Sequence, residues 1–223
     1  MNHTVEYIPI ITTLFSVYFV AEIFRHYLAK RTTYLFWWSL GVLTYGLGTL
    51  AGSINVLIGW SEWNLRFWYI VGALMGGFPL AQGSVYLLMN RAFAHITSVL
   101  FIILIVAGSI AVMTSPIVIP ESFNYKLTGS VFAYKWVRYF SPFINVYSFF
   151  FLVGGAIYSA IRYYRKGDRQ ARFKGNIYIA IGGLLPGIGG IFTRMGHVNV
   201  LFVTELFGII LIYYGYHIIR ADK

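Results

Sequence analysis

Glu22 and Glu205 place carboxyl groups inside long apolar runs of a 223-residue chain. An ionisable side chain in such a run is costly and points to function by default. Either carboxyl would take a proton or a cation, or balance the charge of a cationic solute. A structural reading stands beside each. His26 follows Glu22 by four residues, so the two share one helix face. Arg194 ends the run before Glu205 and would reach it across a short turn. Gln82 and Asn145 add carboxamides that both donate and accept. Glu22, Gln82, Asn145, Arg194 and Glu205 are therefore the candidates for binding or coupling a solute. Asn55, Ser84, Asn176 and Thr193 complete the polar set.

Two prolines stand close to these groups. Pro79 closes Gly76-Gly77-Phe78-Pro79, three residues before Gln82, and Pro186 lies within Gly182–Gly190, which holds five glycines. Proline frees a backbone carbonyl and kinks a helix. In a membrane such a break survives only where protein or water satisfies it. Pro79 and Pro186 are thus expected hinges, and a kink beside Gln82 suggests a cavity wall. The glycines of the Pro186 run read as close helix packing. A phosphate-cradling loop would not sit in the middle of an apolar span.

Other chemistry lacks its residues. The chain has no cysteine, which removes disulfides, thiolate metal sites, iron–sulfur clusters and Cys nucleophiles. His26, His95 and His217 lie near the ends of runs on one side, and His26 with His217 is the one pair placed to hold a haem. No His-x-x-x-His pair exists and no aspartate lies in a run, so zinc hydrolysis and Ser-His-Asp catalysis lack partners. The expectation is a protein with no cofactor, no metal and no enzymatic reaction.

Seven apolar runs carry these residues, at about 8–29, 34–58, 65–89, 95–114, 139–163, 175–195 and 199–220. About 20 apolar residues in a helix cross a bilayer core. The chain is 58% hydrophobic and 11% charged, against about 25% charged in a soluble domain. The sequence therefore predicts a single all-α integral membrane domain over 1–223, a seven-transmembrane helix bundle. The first run is too long, and too poor in preceding positive charge, for a cleaved signal.

The net charge of +10 is distributed as in a membrane protein, so no nucleic-acid partner is expected. Twelve of the 17 Lys and Arg fall on the C-terminal side of the bundle and five (Arg66, Lys126, Lys135, Arg138, Arg194) on the N-terminal side. Cytoplasmic loops collect such charge. The reading is an N-terminus outside, a cytoplasmic C-terminus and residence in the plasma (inner) membrane. The dense cluster from Arg162 to Lys174 is placed to touch anionic lipid headgroups. Trp60, Trp63, Trp68 and Tyr69, and Tyr34, Trp37 and Trp38 opposite, read as aromatic belts. The long segment 115–138 reads as a surface connector, with Pro116, Pro120, Glu121, Asn124 and Lys126, ending in a short interfacial helix.

Weak self-similarity links the two ends of the chain. Gly41, Gly46 and Gly48 in run two match Gly182, Gly187 and Gly189 in run six. Gly76 and Gly83 in run three match Gly208 and Gly215 in run seven, and Val17-Tyr18 matches Val146-Tyr147. Three spans, one linker span and three spans in the same orientation form a 3+1+3 parallel repeat, one of the two ways transporters are built. In this the chain resembles seven-span bacterial membrane proteins of the transporter–opsin–receptor group, which includes sugar and vitamin transporters, KDEL receptors, rhodopsins and sensor modules. The resemblance is one of architecture over the whole chain. It implies a small-solute transporter or a solute-sensing bundle. No Pro-Gln pair marks the repeat, and run seven has no lysine for a retinal Schiff base, so no residue role is carried over. The alternative is a non-catalytic subunit of a larger membrane complex, with membrane-protein partners and a filled interior. A transporter would instead show a polar cavity between spans one, two, three, six and seven.

Overall fold

The structure, a computed structural model, describes residues 3–119, 126–166 and 170–222. Pro120, Glu121 and Asn124 of the connector, and Arg169 and Lys223 of the basic set, lie outside the described residues. Seven helices are long and apolar enough to cross a bilayer: Val5–Lys30, Thr33–Leu57, Glu62–Leu88, Arg91–Thr114, Lys135–Lys166, Gln170–Arg194 and Val198–Ala221. Among the described residues there is no strand, only an isolated bridge between Ile117 and Phe132. The chain is an all-α polytopic membrane bundle. The side of the membrane holding its first residues is called the N side below, the other the C side.

Local chemistry sets the ends of these spans. Ser61 starts span three, its hydroxyl accepting from the Asn64 N–H at 3.2 Å. Asn90 starts span four in the same way, accepting from the Phe93 N–H at 2.9 Å. Such caps satisfy N–H groups that a first turn leaves unpaired. At the far end of span four, Arg66 donates to the carbonyls of Val112, Met113 and Ser115. A cation there complements the negative end of the helix. The interfacial helix expected after the connector is present as a short turn, Lys135–Tyr139, that runs directly into span five.

Span three is broken, but not at its proline. Glu62–Trp68 leads into a wide turn at Tyr69–Leu74, a bend at 75–77, and a second helix, Phe78–Leu88. Pro79 falls in the first turn of that second helix, where a missing N–H loses no partner. The glycines make the break and Pro79 restarts the helix. Pro186 sits inside the unbroken helix Gln170–Arg194, so the second expected hinge is not a break either. The carbonyl it leaves unpaired, that of Gly182, faces span seven: a methyl on Gly208 would lie 2.9 Å from it.

Six spans close a ring. Span one packs on spans two and seven, two on three, three on five, five on six, and six most extensively on seven. Span four lies outside the ring against spans three and five. Several residues expected at the membrane surface are core instead: Trp37, Trp38, Trp68 and Tyr69 are each no more than 9% exposed. Trp38 packs on Gly83 of span three, and Tyr69 on Gly129 of the connector, where a missing side chain admits a large ring. Trp63, 74% exposed, keeps a position suited to headgroup depth.

The glycines pack in matching registers. A methyl on Gly41 would come within 2.7 Å of the Leu80 nitrogen, one on Gly48 within 3.3 Å of the Gly72 Cα, and one on Gly83 within 3.0 Å of the Tyr34 oxygen. In spans six and seven a methyl on Gly182 would come within 2.9 Å of the Ile212 nitrogen. Gly189 faces Thr204, and Gly215 faces Gly175 and Ile179. Raising span-two numbers by 141 (34 to 175, 41 to 182, 48 to 189) and span-three numbers by 132 (72 to 204, 80 to 212, 83 to 215) converts the first set of contacts into the second.

Candidate functional site

Gln82 sits at the centre of a closed polar knot rather than on a cavity wall. It is 0% exposed. Its amide nitrogen donates to the Ala94 carbonyl and the Ser98 hydroxyl, both at 2.8 Å. Its oxygen accepts from the Tyr147 hydroxyl at 2.5 Å. Ser98 donates to the Tyr86 hydroxyl at 3.2 Å, and Tyr86 lies 2.9 Å from His95 Nδ1. The knot joins spans three, four and five and leaves Gln82 no free valence for a solute. Thr97, Ser98 and Tyr147 carried no spacing signal in the sequence, because their partner lies on another helix.

Glu22 is paired, but not with His26. Its carboxylate accepts from Arg220 Nη1 at 2.7 Å and lies 2.8 Å from His217 Nε2. Both partners are on span seven, and their side chains are 42% and 39% exposed. His26 turns instead to the Tyr216 hydroxyl, 2.7 Å away. The i,i+4 spacing was real, but the seventh span offers a guanidinium and outcompetes the helix neighbour. His26 and His217, the pair considered for haem, thus both hold protein hydrogen bonds. Among the described residues no three of His, Asp and Glu gather as a metal-ligand set.

Glu205 and Arg194 are not paired. Arg194 donates to the Ser141 hydroxyl of span five at 3.2 Å. The Glu205 side chain has no hydrogen bond or ion pair among the described residues. Glu205 lies seven residues, about 10 Å of helix rise, below the N-side end of span seven. Its helix neighbours Leu201, Phe202, Gly208 and Ile209 are buried, yet Glu205 itself is only half-buried. This carboxyl is therefore not fully sealed by its neighbours in the N-side half of the bundle.

Span six also leaves open space on one face. In the first half of the chain Ser16 packs directly on Gly46, where an added methyl would come within 2.9 Å of the Ser16 Cβ. Shifted by the spacing of the Val-Tyr pairs, 17 to 146, Ser16 becomes Asn145, and shifted by the span-two spacing, 41 to 182, Gly46 becomes Gly187. Nothing lies within 4 Å of a methyl placed on Gly187 or on Gly190. Asn145 is exposed, and no hydrogen bond to its side chain is present among the described residues. Gly187 is thus open where Gly46 is closed. Asn145, Gly187, Gly190 and Arg194 lie along the N-side halves of spans five and six, and Glu205 stands on span seven in the same half of the bundle, whereas Gln82 and Glu22 belong to two other clusters. The sole feature in the sequence that marks the open face is the run of glycines around Pro186.

The polar cavity expected between spans one, two, three, six and seven is not what the bundle forms most visibly. A cavity of about 530 Å³ lies between spans two, three and four, and its walls are apolar.

No protein-family model, no curated protein and no solved structure matches this chain. The class of the protein therefore rests on its own geometry: a seven-helix membrane bundle whose last span carries a carboxyl, that of Glu205, unpaired among the described residues.

Proposed function

We propose that this bundle handles a small solute, as a transporter or a solute sensor, and that Glu205 is its coupling group. The observation that carries this reading is the unpartnered Glu205 carboxyl in a membrane span. An isolated carboxylate away from water must be neutralised, by a proton or by a bound cation. A group that alternates between those states as the solute binds and leaves would couple solute to ion. Arg194 and Asn145 would read the solute's polar groups. The reading assigns no cofactor and no catalytic step.

The proposal includes two matching halves, spans one to three and five to seven, with span four as linker. The shared glycine registers support it. It also places the N-terminus outside the plasma (inner) membrane and the C-terminus in the cytoplasm, with Arg162, Arg165, Lys166, Arg172 and Lys174 against anionic headgroups. The charge bias supports that placement.

The test is flux. Protein reconstituted in vesicles with an internal pH dye reports proton entry on solute addition, and sodium-loaded vesicles report the cation. Glu205→Gln abolishes the coupled signal while folded yield and melting temperature hold. An unchanged signal removes Glu205 from the mechanism.

A second reading, a non-catalytic subunit of a larger membrane complex, is favoured by the exposed ring cluster Phe143, Phe149 and Phe150 on span five. Co-purification of a stoichiometric membrane partner from native membrane supports that reading.

A further inference from the structure

The apolar cavity lies apart from Glu205, and its occupant can be argued from its dimensions. Trp37 and Phe78 form its floor, with ring centroids 5.6 Å apart. Leu40 and Met75 line it from spans two and three, Ile105 and Ser109 from span four. Along span four it extends from Ile102 to Thr114, about 18 Å of helix rise. Ile102 is near the middle of its helix and Thr114 at its N-side end. Along span four the slot therefore covers the N-side half of the helix, close to half of a core about 30 Å thick, and Trp37, four residues into span two, closes its deep end. Its side is open to the bilayer, since Ile102, Val106 and Ile110 on its rim are 44%, 52% and 59% exposed. The broken middle of span three makes room for it. Water gains little in such a space, which offers it few polar partners. An empty slot would forfeit the contacts of its walls.

At the surface end stands Arg66. It holds the carbonyls of Val112, Met113 and Ser115, and among the described residues it has no carboxylate partner. A positive group at headgroup depth, above an apolar slot one leaflet deep, complements a phosphate above an acyl chain.

We propose that this slot binds one acyl chain of a glycerophospholipid from the N-side leaflet, with the lipid phosphate beside Arg66. The site is independent of Glu205 and holds whether or not the protein moves a solute.

Trp37 at the floor supplies the reporter. The protein is reconstituted in phosphatidylglycerol brominated near the chain ends, and the difference in emission between the native protein and Trp37→Phe isolates the Trp37 signal. The expected result is strong quenching of that signal. Ser109→Phe fills the slot and removes most of the quenching. Ile103→Phe, on a lipid-facing position outside the slot, leaves it intact. Should Ser109→Phe fail to fold, Val106→Phe on the rim takes its place. A Trp37 signal that brominated lipid does not quench overturns the proposal. So does quenching that stays the same in a folded slot-filling variant.

Discussion

The Tyr45 hydroxyl donates to the backbone carbonyl of Glu205 at 2.6 Å. Tyr45 stands at the midpoint of span two and is 8% exposed. Its hydroxyl is thus supplied with a partner deep in the membrane, and span seven is pinned at the residue whose carboxyl is left over. One side of Glu205 is fixed through its backbone while its side chain stays free to meet proton, cation or solute.

Tyr45→Phe removes that pin and leaves the carbonyl its helical partner. The expected loss is about 1 kcal/mol of stability, together with weaker coupling at unchanged folded yield. Denaturant titration in micelles and the vesicle flux assay check the two parts separately.

Gln82→Leu takes from the Tyr147 hydroxyl, in the core, the acceptor it donates to. A buried polar group left without a partner costs roughly 1–3 kcal/mol, so this variant is expected to fold poorly and to melt well below the native protein. Restored stability in the paired variant Gln82→Leu, Tyr147→Phe identifies the stranded hydroxyl as the cause.

Glu22→Gln is expected to behave differently. The carboxylate is held by two partners, but both are well exposed, and exposed pairs are worth roughly 0.2–1 kcal/mol. Melting shifts little, and the effect fades further in high salt. A loss as large as that for Gln82→Leu means that the cluster is drier than its exposure indicates.

Glycine substitutions test the two halves. Gly41→Ala and Gly182→Ala each force a methyl into a facing backbone and are expected to cost roughly 1–3 kcal/mol by overpacking. Gly187→Ala meets nothing, so it is expected to leave stability unchanged or raise it by up to about 1 kcal/mol through helix propensity. The same three proteins in one melting series decide the matter. Destabilisation by Gly187→Ala shows that the open face of span six closes in solution.

A cysteine at Ser61 should be labelled from the same side as one at the N-terminus, and one at Lys166 from the other side. Impermeant maleimide applied to intact cells and to lysed cells reads both positions. Labelling of Ser61→Cys only after lysis reverses the proposed orientation.

The seven spans were legible because composition alone decides them: few charges over 20 residues leave a helix little other choice. The break in span three was legible as a glycine run, although Pro79 proved to be a starter and not a kink. The wide turn at Phe149–Gly154 had no signal, since an aromatic run folds as well into a regular helix. The candidate site was legible one residue at a time and not as a set. Glu22 and Arg220 are 198 positions apart, and Gln82 and Tyr147 are 65 apart, so helix periodicity says nothing about which of them meet. The unpaired state of Glu205 was the least accessible, because it depends on Arg194 choosing Ser141.

The Gln82 knot divides the molecule mechanically. Tying spans three, four and five through one buried amide makes them a single stiff block, and no part of that block can shift without exposing bare hydrogen-bonding groups to hydrocarbon. The tightly packed pair of spans six and seven leans on that block mainly along the C-side half of span five, while at the N side the Arg194–Ser141 hydrogen bond joins span six to span five. Any swing of that pair against the frame must therefore break the Arg194–Ser141 and Tyr45–Glu205 hydrogen bonds in the N-side half, where the unpaired carboxyl stands.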